Sequence, residues 1–168
     1  SLPDLVISQV YGAGGQNRAP WRNDFVELFN RGGSAVNLGG WSVQYASEQG
    51  STWSVTSLPS FVLQPGRYYL VQEAGDVVGN PLPAPDTQGS LVMNPSAGKV
   101  ALVQATQPLS GSPCPGGAQI EDLVSYGTLA TCGEGGTHAP LLAAGRLALG
   151  KKEGGTETGD NGAECVAA

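Results

Sequence analysis

Apolar and polar residues alternate along this chain in short runs, each closed by a cluster of glycine, proline, asparagine or serine. A period of two marks strands that bury one face, and frequent turn formers mark the loops between them. In DLVISQVYG, Leu5, Ile7, Gln9 and Tyr11 alternate with Val6, Ser8 and Val10, so one side is apolar except at one position. In FVELFN, Val26 and Leu28 share one face, and Phe25, Glu27 and Phe29 share the other. WSVQYAS sets Trp41, Val43 and Tyr45 against Ser42, Gln44 and Ala46, a half-buried strand with an aromatic anchor. Further strands are predicted at Thr52 to Val55, in RYYLVQE, SLVMN, GKVALVQA and IEDLVSYG, and as a short run in RLALGKK. In LQPGR, Pro65 presets φ and Gly66 supplies the positive φ of a type II turn. About seven to nine short strands separated by Gly/Pro turns predict an all-β sandwich.

Composition sharpens this picture. The 168 residues suit one domain, here residues 1–152, followed by a polar, Gly-rich segment at 153–168. Such a length buries enough surface to fold without a metal. The 26 glycines and 12 prolines place much of the chain in loops, the longest being GAGGQNRAPWRND and GDVVGNPLPAPDTQG. A formal charge of −6 opposes general nucleic-acid binding, so nucleic acid is open only to a local basic patch. No apolar run reaches membrane-spanning length and no signal peptide stands at the start, so SLPDLVISQVYG reads as a mature or trimmed N-terminus. One histidine and three cysteines without a CxxC pair argue against a zinc site.

DLVISQVYG, NDFVELFN, LGGWSVQY, LQPGRYYLV, GKVAL and DLVSYG, in that order, resemble the bacterial lamin tail domain family. The match runs from about Leu2 to Asn161 and is carried by Glu27-Leu28-x-Asn30, Gly40-Trp41 and Leu63-x-Pro65-Gly66. The resemblance implies an immunoglobulin-like fold and framework roles for Glu27 and Asn30. It also implies an exported bacterial protein, since many bacterial members occur in exported proteins, some beside nuclease, phosphatase or other hydrolase domains. The closing segment departs from the family pattern: Lys152, Gly154, Gly155, Asp160 and Asn161 are kept, but no cysteine follows the glycine pair.

Candidate chemistry is sparse. Asp24 and Glu27 are three apart on a strand and point to opposite faces, so they cannot easily converge as an acid/base pair. Glu27, flanked by Phe25 and Phe29, is expected to be a partly covered carboxylate held by loop amides or an arginine. His138 and Cys132 lack the context of a nucleophile elbow. GAGGQN has the wrong spacing for a phosphate loop. Cys114 and Cys132 flank the IEDLVSYG strand and are the favoured disulfide, with Cys132–Cys165 as runner-up and three reduced thiols as the alternative. Closure of such a loop contributes about 3 kcal/mol. Glu157, Asp160, Asn161 and Glu164 form an oxygen-rich set that can hold Ca²⁺, against the plainer reading of a solvated acidic tail. Trp21, Trp53, Tyr68 and Tyr69 are candidate recognition aromatics, whereas Trp41 suits the core. Arg18, Trp21 and Arg22 form the leading binding candidate, weighed against a loop merely pinned by Trp21.

The sequence therefore predicts a non-catalytic interaction or scaffolding module, secreted, periplasmic or at the cell surface. Its ligand would be a protein or an extracellular polymer, with no membrane insertion. The alternatives are an accessory domain of an exported nuclease or phosphatase, and a calcium-dependent adhesion domain.

Overall fold

The alternating segments become strands whose inward faces meet in one core. The structure, a computed structural model, describes residues 3–127, 149–151 and 165–167. The strands are β1 (Leu5–Tyr11), β2 (Asn23–Asn30), β3 (Val36–Asn37), β4 (Ser42–Ala46), β5 (Ser54–Ser57) and β6 (Val62–Leu63). They continue with β7 (Tyr68–Gly75), β8 (Thr87–Gln88), β9 (Gly98–Val103), β10 (Ile120–Tyr126), β11 (Leu149–Lys151) and β12 (Cys165–Ala167). A six-stranded sheet, β12-β11-β1-β2-β7-β8, packs on a four-stranded sheet, β10-β9-β4-β5, and β3 pairs with β6 beside them. Every pairing is antiparallel except β7 with β8. This is the all-β sandwich that the alternation predicts, with the immunoglobulin-like fold that the resemblance implies. β12 lies within the 153–168 segment and pairs with β11.

Between the sheets, Val26, Leu28, Tyr69 and Val71 meet Val43, Val100, Leu102, Val124 and Tyr126. Each such aliphatic side chain contributes about 1.5–3 kcal/mol through removal from water. The outer faces are also covered. Tyr11 and Phe25 stack at 5.1 Å and, with Ala13, carry Trp21, Leu70 and Leu82. On the other sheet, Trp53, Ala101, Val103 and Leu123 pack with Leu109. Long loops thus serve as lids over both sheets, which is why β1, β2, β4 and β9 are buried on both sides.

Two details depart from simple alternation. The register of β1 against β2 shifts between Ile7 and Gln9, so Leu5, Ile7 and Val10, rather than every second residue, enter the core. On β4 the predicted wet face is sealed. Ser42 Oγ donates to Ala105 O, and Gln44 donates to Gln107 O and accepts from Leu109 N, pinning the loop that covers them.

Asn30 ends β2 in full burial. Its amide donates to Ser34 O and Leu63 O at 2.9 Å each, and its oxygen accepts from Gly32 N. The side chain holds the turn after β2 and the β3–β6 pair at once, the framework role implied for it. Asn30→Ala leaves these groups without their partner, with an expected loss of about 2–4 kcal/mol in urea unfolding at unchanged m-value.

Candidate functional site: buried carboxylates and the loop around Trp21

Three strands each place a carboxylate at one end of their core-facing run. Asp24 precedes Val26 and Leu28, Glu73 follows Tyr69 and Val71, and Asp122 precedes Val124 and Tyr126. All three are buried. A charge in that position is costly unless hydrogen bonds replace water, and the chain supplies backbone amides. Asp24 accepts from Gly14 N (2.9 Å) and Met93 N (2.8 Å). Glu73 Oε2 accepts from Leu91 N (3.0 Å) and Thr56 Oγ1 (2.9 Å). Asp122 reaches across the sandwich to Ile7 N at 2.7 Å, beside the β1 bulge, and also accepts from Leu123 N.

Residues 89–97 form a strap that crosses from β8 to β9 along the open side of the sandwich. Burial alternates from Ser90 to Asn94 as in a strand. The strand predicted at SLVMN does not form, however, because its inward amides meet Glu73 and Asp24 instead of a neighbouring ladder. Two tyrosines complete the grip: Asn94 N donates to Tyr45 Oη at 3.0 Å, and Tyr126 Oη donates to Asn94 O at 2.8 Å. A side chain at position 89 would collide with Thr56 Oγ1 and Glu73 Oε2, so glycine is required there by close approach.

Burial pushes the carboxyl of Asp24 up to about 6, against the opposing effect of the Met93 and Gly14 amides. It pushes Glu73 up to about 7, only partly offset by Leu91 and Thr56, with the Asp24 charge adding to the rise. Glu73 Oε1 has no hydrogen-bond partner among the described residues, consistent with an easily protonated group. Glu27 lies on the opposite face from Asp24, as the strand period requires. Its partner is neither an amide nor an arginine: Ser8 Oγ, placed by the β1 bulge, donates to its carboxylate at 2.8 Å. Burial raises the Glu27 carboxyl, and the Ser8 bond opposes that rise.

The basic loop keeps its charges outside. Arg18 and Arg22 are exposed, while Trp21 is half-buried against the Tyr11–Phe25 cluster and its backbone bridges Asn80. Trp21 therefore pins the 12–22 loop and the 76–86 loop together. Arg18 sits in the left-handed region at φ 66°, strained for a residue with a Cβ. Trp53 and Tyr69 are buried and offer no recognition face; Lys99 Nζ lies 5.4 Å from the Trp53 ring centre. Tyr68 is exposed and packs on Phe29. Trp41 is half-buried at the core margin. Cys114 is exposed. Cys132, His138, Glu157, Asp160, Asn161, Glu164 and the side chain of Cys165 lie outside the described residues. Among the described residues no three His, Cys, Asp or Glu side chains gather as a metal site.

Both strap carboxyls titrate higher when folded than their ordinary values of 3.8 and 4.5. The folded state therefore holds protons that the unfolded chain has released, and stability is fully present below about pH 4 and falls as pH rises to about 7. The expected decline is on the order of 3 kcal/mol per carboxyl, read by urea unfolding across that range, and Glu73→Gln flattens it. Separately, Arg18→Gly relieves the left-handed strain and raises stability by about 1 kcal/mol, measurable as a higher Tm.

Among curated proteins no match was found. Among solved structures, the chain is similar to a DUF4876 family protein from Bacteroides thetaiotaomicron, with a TM-score of 0.57 and 9% identity. That likeness covers 90% of this chain and 63% of the other, so this chain spans under two thirds of that protein, and at such identity it speaks to the fold alone. The family model described as Lamin Tail Domain matches residues 1–126, the span that contains β1 to β10 and all three buried carboxylates. The chain belongs to the lamin tail domain family.

Proposed function

We propose that this domain is a non-catalytic recognition and scaffolding module of an exported protein. One observation carries the reading: Asp24, Glu73 and Asp122, the buried carboxylates best placed for chemistry, each hold backbone amides that the fold must satisfy. Each is buried and spends hydrogen bonds on the chain's own main chain, the work of a framework even where burial raises the carboxyl. The exposed loops and sheet edges are then the parts that touch other molecules. Export is supported by the family resemblance, and it makes the Cys114–Cys132 bridge the expected thiol state. The predicted outcome is no turnover of bis-p-nitrophenyl phosphate or p-nitrophenyl glycosides above buffer. Turnover that disappears in Asp24→Asn, Glu27→Ala or His138→Ala at unchanged Tm would overturn the reading. A thiol titration of the denatured chain, expected to find one reactive cysteine before reduction and three after it, tests the disulfide.

A second reading rests on the exposed pair Arg18 and Arg22: an accessory domain that presents nucleic acid to a nuclease or phosphatase partner. It predicts salt-sensitive binding of a fluorescent single strand that Arg18→Glu/Arg22→Glu abolishes. Flat anisotropy at low salt removes it. The calcium-dependent adhesion reading predicts a Tm that rises with Ca²⁺ and returns with chelator.

A further inference from the structure

Among the described residues the four-stranded sheet ends at β5, which pairs there with β4 alone. Leu58 N donates to Trp41 O, one residue beyond the ladder. In an antiparallel pair the bonded positions alternate, so Thr56 and Ser54 face β4, and the main-chain groups of Val55 and Ser57 point away from the sheet. Across from β5 runs the strap. There Leu91 N and Met93 N are taken by Glu73 and Asp24, and Leu91 O accepts from Ala74 N. The same alternation turns the main-chain groups of Ser90 and Val92 outward. A groove of about 380 Å³ lies between these two banks, lined by Ser54 and Val55, by Ser90, Leu91 and Val92, and by Tyr45. It closes where Gly89 abuts Thr56. The Val92 side chain is 78% exposed.

Two banks with outward main-chain groups match the hydrogen-bonding pattern of a strand, not of a sugar or a compact ligand. Charge narrows the occupant further. Val92 also lines a second cavity, of about 170 Å³, together with Asp24, Asp76 and Gln16. Asp76 is exposed and negative, and the whole chain carries −6, so a second copy would bring like charges together. A cationic segment is complementary.

We propose that the groove between β5 and residues 90–92 receives an extended basic segment of a partner protein, added to the sheet main chain to main chain beside Val55. The inference rests on the recognition-module reading and names the surface and partner class for it. The peptide lies over Tyr45, its amides and carbonyls pair with Val55 and Val92, and a lysine or arginine beyond Val92 meets Asp76.

The test uses a displayed library of random linear peptides selected on the full 168-residue chain. The selected peptides are then titrated into wild-type protein while backbone amide shifts are recorded. The expected peptides combine β-branched residues with lysine or arginine and perturb residues 54–57 and 90–92. Val55→Pro and Val92→Pro each delete one outward N–H and leave the inward bonds in place, and each is expected to weaken binding about tenfold or more. Alternate N-methylation of the peptide does the same on unaltered protein, which keeps the test decisive should either variant fold poorly. The proposal is overturned if no peptide is enriched, if N-methylated peptides bind equally well, or if β5 amides shift with protein concentration alone, as in self-pairing. Peptides that bind only at Arg18 and Arg22 also overturn it, yet leave the recognition-module reading standing. Turnover of the ester or glycoside substrates sinks that wider reading instead.

Discussion

Unmet backbone amides near the middle of a sandwich are the constraint on which this fold turns. The strap makes only scattered main-chain bonds to β7, and leaving the amides of Leu91 and Met93 unpaired would cost about 1–3 kcal/mol each. The chain answers with carboxylates from strand ends. Glu73 and Asp24 hold the strap, and Asp122 ties the bulged β1 to the facing sheet. Amides that need acceptors thus meet carboxylates that need donors, with Glu73 Oε1 alone of those oxygens left over among the described residues. The arrangement also exposes the fold to pH, because burial raises both strap carboxyls into the range around neutrality.

The alternation of side chains made most of this architecture legible. β1, β2, β4, β7, β9 and β10 lie where the period-two runs predict them, and Gly66 takes its positive φ in the turn before β7. Periodicity cannot count a bulge, however. The shift at Ser8 depends on pairing with β2 and on the Glu27 carboxylate, neither of which is local to DLVISQVYG. SLVMN shows the converse. Its pattern is that of a strand and its burial alternates accordingly, but whether a ladder forms depends on a partner, and the acceptors for its inward amides are side chains.

The carboxylates were legible in part. Asp24 and Glu27 stand out as charges in an apolar strand, and their divergence follows from the strand period. Glu73 and Asp122 carry the same signal as Asp24: each extends an inward-facing run of core residues by one polar position. A carboxylate at the end of such a run, rather than in a loop, marks a tie to backbone that has left the ladder. Trp21 and Trp53 were harder to place. Trp21 sits in loop-like sequence and Trp53 within the strand predicted at Thr52 to Val55, and only packing onto the outer sheet faces decides that the first pins two segments and the second is sealed beneath Lys99.

The strand order has a consequence for how the chain is made. Within this domain β1 is made before its partners, yet one of its two edges is closed by β11, which follows β2 to β10 in the sequence. Until residues 149–151 emerge, that edge remains available to any neighbouring nascent chain. A pause in synthesis before residues 149–151 would therefore hold that sheet edge open longest.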